Sequence, residues 1–180
     1  MSNNTASNTT FKALVVEETS DGEFKKSIKE RSVSDLPDND LLIKVHYSSL
    51  NYKDAMSASG NKRITKHYPH TPGIDAAGVV VSDKSGTFAE GQKVVVFGYD
   101  LGMDTPGGLG QMISIPADWA IECPESLTLK EAMIYGTGGL TAALSVQKLE
   151  KMGAKPSDGE VAVTGATGGV GSISIAILKQ

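Results

Sequence analysis

The chain has 180 residues, of which 39% are hydrophobic and 21% charged, with a formal net charge of -4. That mild acidity leaves no electrostatic footprint for nucleic acid or an anionic membrane surface. The single cysteine, Cys123, excludes an intramolecular disulfide framework and a cysteine-rich zinc lobe and fits a reducing compartment. No apolar run approaches the ~20 residues of a membrane span. The N-terminus, Met1 to Thr10, is polar and has no apolar h-region, so it is expected to be a disordered tail rather than a signal peptide. The expectation is a soluble cytoplasmic protein.

In chain order, Phe11 to Glu17 and Glu23 to Arg31 read as strands around a Ser20-Asp21-Gly22 hairpin turn. Leu41 to Tyr47 is a third strand, alternating from Leu42 onward, and Asn51 to Ser59 a short helix or turn. Strands over Gly73 to Ser82, Gln92 to Tyr99, Gly107 to Ile115 and Trp119 to Glu122 complete a set spaced as in a small β-barrel. After Pro124 the period changes. Thr128-Leu-Lys-Glu131 is a capping box opening a helix, Gly136 to Gly139 interrupts it, and a second helix runs from about Leu140 to Met152. Val161 to Thr164 reads as a strand buried on both faces. A glycine-rich turn follows, then a helix from about Gly169 that is apolar nearly all round and so expected to be covered on more than one side.

Three groups of residues carry possible chemistry. Ala166-Thr-Gly168-Gly-Val-Gly171 overlays G-x-G-x-x-G, with alanine in the first place. Such a strand-turn-helix aims backbone N–H groups and a positive helix end at one spot, which suits a dinucleotide diphosphate. The same pattern also serves as a βα turn with no ligand. Asn51-Tyr-Lys-Asp54 could supply an oxyanion donor (Asn51), a proton donor or stacking ring (Tyr52) and tuning charges (Lys53, Asp54). On spacing alone the stretch reads rather as an N-cap (Asn51), a first-turn acid (Asp54) and a core tyrosine (Tyr52). His67 and His70 flank Tyr-Pro without a further ligand at metal spacing, so no metal site is expected, and Cys123 reads as a buried small hydrophobe.

Together these pieces resemble the medium-chain dehydrogenase/reductase superfamily. The resemblance rests on N-Y-K-D at Asn51 to Asp54, P-G-I-D-A-A-G-V-V at Pro72 to Val80 and G-Q-K-V-V-V at Gly91 to Val96. G-T-G-G-L-T-A at Gly136 to Ala142 and V-T-G-A-T-G-G-V-G at Val163 to Gly171 complete it, in order and spacing. S-S-L-N-Y-K-D and I-Y-G-T-G-G-L-T-A-A-L are most similar to the zinc-independent acryloyl-CoA reductase branch, also known for quinone oxidoreductases.

The resemblance implies a mixed α and β architecture: a GroES-like β-barrel catalytic domain over residues 11–126, after a tail over 1–10. Residues 127–180 would be a helical bridge and the start of a Rossmann NADP-binding domain, incomplete at Gln180, with the active site in the cleft between the domains. It implies NADP(H) as cofactor and hydride transfer to the β-carbon of an α,β-unsaturated thioester of the acryloyl-CoA type, with protonation at the α-carbon. Quinone or enone reduction and a non-catalytic dinucleotide-binding role are the alternatives. Carried over, Asn51, Tyr52 and Asp54 form the catalytic group. Tyr52, Thr137, Thr141, Thr167, Gly168, Gly169, Val170 and Gly171 are cofactor-binding. The partners expected are a small enoyl-CoA or enone and, for the longer parent protein, a second copy in a homodimer. The 180 residues alone are expected to be inactive.

Overall fold

The computed structural model describes residues Thr9–Gln180. The expected tail lies outside the described residues except at Thr9 and Thr10, and Thr10 already belongs to the first strand. That strand, β1 (Thr10–Glu18), pairs antiparallel with β2 (Phe24–Ser32), with Leu14 opposite Ile28. The hairpin turns at Gly22, whose φ of +78° is the left-handed conformation that glycine adopts at no steric cost.

A second, five-stranded antiparallel sheet contains β3 (Leu41–Tyr47), β4 (Asp75–Asp83), β5 (Lys93–Phe97), β6 (Met112–Ile115) and β7 (Ala120–Glu122). Its order is β6-β3-β4-β5-β7. The hairpin joins it through backbone bonds rather than a long ladder: Leu14 N–H to Leu109 O (2.9 Å), a reciprocal pair between Val16 and His70, and Gln111 N–H to Lys12 O (3.0 Å). A seven-residue helix, α1 (Tyr52–Ala58), follows β3. Past β7 come α2 (Leu129–Lys151), kinked at Gly136, and α3 (Gly169–Leu178).

One apolar cluster gathers Leu41, Ile43, Val80, Val94, Val96, Leu101, Ile113 and Ile115. Its Val and Ile residues suit pleated positions buried between strands. The other side of β3 is covered as well: Leu42 packs with Phe11, Ala13, Val15 and Met112. The alternation expected along β3 is therefore absent at its start. Leu41, Leu42 and Ile43 are all buried, and polar exposure begins at Lys44. Gly78 sits at a close crossing of β4 with β3, since a Cβ there would lie 2.1 Å from the Lys44 carbonyl oxygen.

Two further expectations are corrected. The strand foreseen from Gly107 is confined to Met112–Ile115, because Gly107, Gly108 and Leu109 bond back to Thr71, Gly73 and Pro72 instead of to β3. Val161 to Thr164 forms no strand, and Val161 is 53% exposed, because no described segment lies alongside to complete its ladder. For the same reason α3 is only partly covered: Gly171 and Ser174 are its buried residues.

The chain divides into a compact unit ending at Met133 and a second, Ile134–Gln180. The division falls later than Ser126 because Leu129, Ala132 and Met133, the first turns of α2, pack with Ala77, Val95 and Cys123. The capping box is present: Thr128 N–H donates to Glu131 Oε2 (2.8 Å), and Glu131 N–H donates to Thr128 Oγ1 (3.2 Å).

Candidate functional site

In the first unit the chemistry-bearing residues gather where α1 begins. Asn51 is the residue before the helix, with extended φ and ψ (-123°, 157°), and its backbone N–H donates to Asp54 Oδ2 at 2.7 Å. The other carboxylate oxygen, Oδ1, accepts from Ile74 N–H at 2.9 Å. Asp54 is therefore buried with two backbone donors on it. Burial pushes its carboxyl above the usual aspartate value, the two backbone hydrogen bonds pull it down, and the nearby Asp75 charge adds to the rise.

Asp75 is fully buried and accepts from Asn51 Nδ2 at 2.9 Å. Its carbonyl accepts from Ser48 Oγ at 2.7 Å, and Gly108 presses so close that a Cβ would sit 2.1 Å from that oxygen. Ser49 Oγ, next along, donates to the Met133 carbonyl at 2.7 Å. Asn51, Asp54 and Asp75 thus form one network, with the α1 start pinned between β3 and β4.

The expected catalytic trio separates on this geometry. Asn51 and Asp54 are tied together, and Asp54 acts on the backbone rather than toward solvent. Tyr52 stands apart from them: it is 81% exposed, as is its neighbour Leu50 at 85%. The core reading of Tyr52 is therefore wrong, while the cap and first-turn readings of Asn51 and Asp54 describe contacts that are present. Asp75, Ser48 and Gly108 are the participants that sequence reasoning missed. A buried aspartate directly after Pro72-Gly73-Ile74, at the mouth of an apolar strand, was the available signal.

In the second unit, Gly165 turns the chain at a φ of +62° and its carbonyl accepts from Gly168 N–H at 2.9 Å. Gly168 is the N-cap of α3. A Cβ on Gly171 would meet the Gly165 oxygen at 2.2 Å, so this position has no room for a side chain. A Cβ on Gly169 would meet nothing within 4 Å. The first helical N–H groups of α3, with the positive helix end, therefore start at a backbone unencumbered by side chains.

Gly138 on α2 lies against this turn, 3.9 Å from the Gly169 carbonyl carbon when a Cβ is placed on it. Gly138, the residue of α2 that approaches the turn at Gly169 and Val170, is flanked in sequence by Thr137 and lies three residues before Thr141. Thr141 Oγ1 donates to the Thr137 carbonyl at 2.8 Å, leaving the hydroxyl oxygen able to accept. Thr167 is exposed in the turn.

The remaining candidates are quiet. No group of three or more His, Cys, Asp or Glu able to hold a metal occurs among the described residues. His67 is exposed near Asp104, whereas His70 is buried and its imidazole is pushed below the usual value by that burial. Cys123 is buried, and burial pushes its thiol up, away from reactivity. Among the described residues no helix is long and apolar enough to cross a membrane.

Residues 37–125 match the alcohol dehydrogenase GroES-like domain. Over 172 residues the chain is 48% identical to YhfP of Bacillus subtilis, named for quinone oxidoreductase activity, covering 96% of this chain and 52% of that protein. It is 41% identical to acrylyl-CoA reductase AcuI of Ruegeria pomeroyi, covering 94% of this chain and 52% of the relative. Among solved structures, B. subtilis YhfP with NAD bound superposes with a TM-score of 0.91 at 48% identity, over 95% of this chain and 52% of that one. The Salmonella enterica YhdH oxidoreductase in complex with NADP gives 0.89 at 44%, over 93% and 51%. The chain spans about half the length of these relatives.

Proposed function

Because this chain belongs to the medium-chain dehydrogenase/reductase superfamily, we propose that it supplies the catalytic domain and first dinucleotide-binding unit of an NADPH-dependent reductase of activated C=C bonds. The substrate class is an α,β-unsaturated thioester of the acryloyl-CoA type. The observation that carries the reading is the α3 turn. Gly171, the third glycine of the fingerprint, has no space for a side chain, and a Cβ on Gly168, the second, would meet only the Gly165 oxygen at 3.3 Å, so the turn packs tightly at one position and leaves the backbone open to a diphosphate at the other. The NADP bound to the Salmonella relative favours NADP(H) over NAD(H), although the B. subtilis relative holds NAD.

When bound, the nicotinamide supplies a hydride for the β-carbon of the substrate while a proton reaches the α-carbon. The chain's own residues bind and orient. Thr167, Gly168, Gly169, Val170 and Gly171 hold the diphosphate at the helix start. Thr137 and Thr141 offer hydroxyl groups beside that turn. Tyr52, largely exposed, is the residue at α1 able to stack on a ring or release a proton. Residues 11–126 act as the catalytic domain and 127–180 as the bridge and cofactor domain, in a soluble cytoplasmic homodimer.

The protein at the full length of its relatives should oxidise NADPH with acryloyl-CoA, and the 180-residue chain alone should not. Consumption of NADPH with a quinone but not with acryloyl-CoA would establish the second reading, which the 48% identity to YhfP favours. No consumption with either would refute both. Tyr52→Phe with unchanged turnover and unchanged NADPH affinity would remove Tyr52 from the site.

A further inference from the structure

Asn51 decides the polarity of the α1 site. Its Nδ2 donates to Oδ2 of Asp75, a carboxylate with no solvent exposure. A carboxylate only accepts, so the planar amide cannot flip without setting its own oxygen against another oxygen. Asp75 is itself held still, by Ser48 on its carbonyl and by the contact with Gly108. Asp54, the second buried carboxylate, also faces Asn51: it accepts from the Asn51 backbone N–H, and the Asn51 side chain adds to the support of its charged form. The donor end of the amide is thus turned toward carboxylates. The atom turned away from Asp75 is the carbonyl oxygen, Oδ1, which takes the capping-box position toward the Asp54 backbone N–H and keeps a second lone pair.

We infer that Asp75 is a positioning residue that locks the Asn51 amide, so that Asn51 offers a hydrogen-bond acceptor to a ligand hydroxyl or amide N–H. This replaces the expectation that Asn51 donates to an oxyanion. It also gives the site a preference. A ligand group with a hydrogen to donate is held at Asn51, and a bare anion meets an oxygen backed by two carboxylates. The orientation stands on the hydrogen bonds alone; only the involvement of the ligand in reduction rests on the proposed function.

Exchanging the two side chains tests it. Asn51→Asp puts a third carboxylate into the network and should unfold at lower denaturant and lose at least tenfold in kcat/KM in the full-length protein. Adding Asp75→Asn restores a donor–acceptor pair in the reversed direction while residue 51 keeps an acceptor oxygen. The double variant should therefore regain stability and recover at least tenfold in kcat/KM over Asn51→Asp. A double variant that folds like wild type but stays as inactive as Asn51→Ala would show that a donor is needed and overturn the inference.

A second measurement does not depend on turnover. In the 15N-labelled chain, exchange of the Asn51 Hδ2 protons should be slow, and about tenfold faster in Asp75→Ala, which removes the acceptor. Fast exchange in the wild-type chain, or no change in the variant, would overturn the lock whether or not the double variant folds. If wild type consumes no NADPH with either substrate while exchange behaves as expected, the reductase reading fails and the lock stands.

Discussion

Two valine-rich runs in this chain have opposite fates. Val94, Val95 and Val96 lie at 0–2% exposure in β5, with β4 on one side and β7 on the other. Val161 and Val163, in an equally β-prone run, form no ladder, and Val161 is 53% exposed. The local sequences ask for the same thing, and the difference is the neighbour. Backbone N–H and C=O groups settle into a strand only when another strand answers them, and a valine is buried only when a surface covers it. The first unit contains its own partners; the second presents an apolar segment beside a groove lined by Val146, Leu149, Ile175 and Leu178.

The largest test of this contrast is a matched pair of truncations. Ile113→Ala removes a side chain with no exposure from the centre of the main cluster and should destabilise the chain by about 2–5 kcal/mol, read from urea unfolding. Val161→Ala, by contrast, should change the same midpoint by no more than about 0.5 kcal/mol. Comparable losses at the two sites would mean that the 161–163 segment is covered in solution.

The glycine turn offers a second pair inside the less covered unit. Gly171→Ala forces a Cβ to within 2.2 Å of the Gly165 oxygen, so the α3 start must shift. The expectation is at least a tenfold loss of NADPH affinity in the full-length protein, measured by cofactor fluorescence. Gly169→Ala meets nothing within 4 Å and exchanges glycine for a better helix former. It should stabilise the helix by up to about 1 kcal/mol, read by circular dichroism. Equal effects from the two substitutions would contradict the packing at Gly171.

The legibility of the sequence follows the same division. The hairpin, β3, β5, the Thr128 capping box and the α3 start were all readable, because each depends on residues close in sequence. The burial of Leu42 on the second face of β3 was not, since its cover comes from Phe11, Ala13 and Val15 in β1. The diversion of Gly107 to Leu109 toward Thr71 to Gly73 was hidden for the same reason. At the site, Asn51 and Asp54 were legible as a helix-start pair three residues apart. Asp75, 24 residues from Asn51, was not, because only the fold brings its carboxylate to the amide.

Asp54 supplies a smaller effect with a definite sign. Its folded-state carboxyl is raised by burial above the ordinary value of 3.8. The stability it contributes is therefore fully present below the ordinary value and is lost as pH rises through the raised one. The exposed acids Asp35, Asp38 and Glu131 run the other way. Hydrogen bonds lower their values, and their contributions are lost as pH falls. The whole-chain profile mixes the two, so the informative quantity is the difference between wild type and Asp54→Asn. The substituted amide would leave one of the two N–H donors, from Asn51 or Ile74, poorly satisfied and lower stability at every pH by about 1–3 kcal/mol. The deficit should shrink as pH rises from about 4 toward neutrality, because only the wild type loses stability by ionising a buried carboxyl. A deficit that grows over that range would mean that the two backbone hydrogen bonds outweigh burial at Asp54.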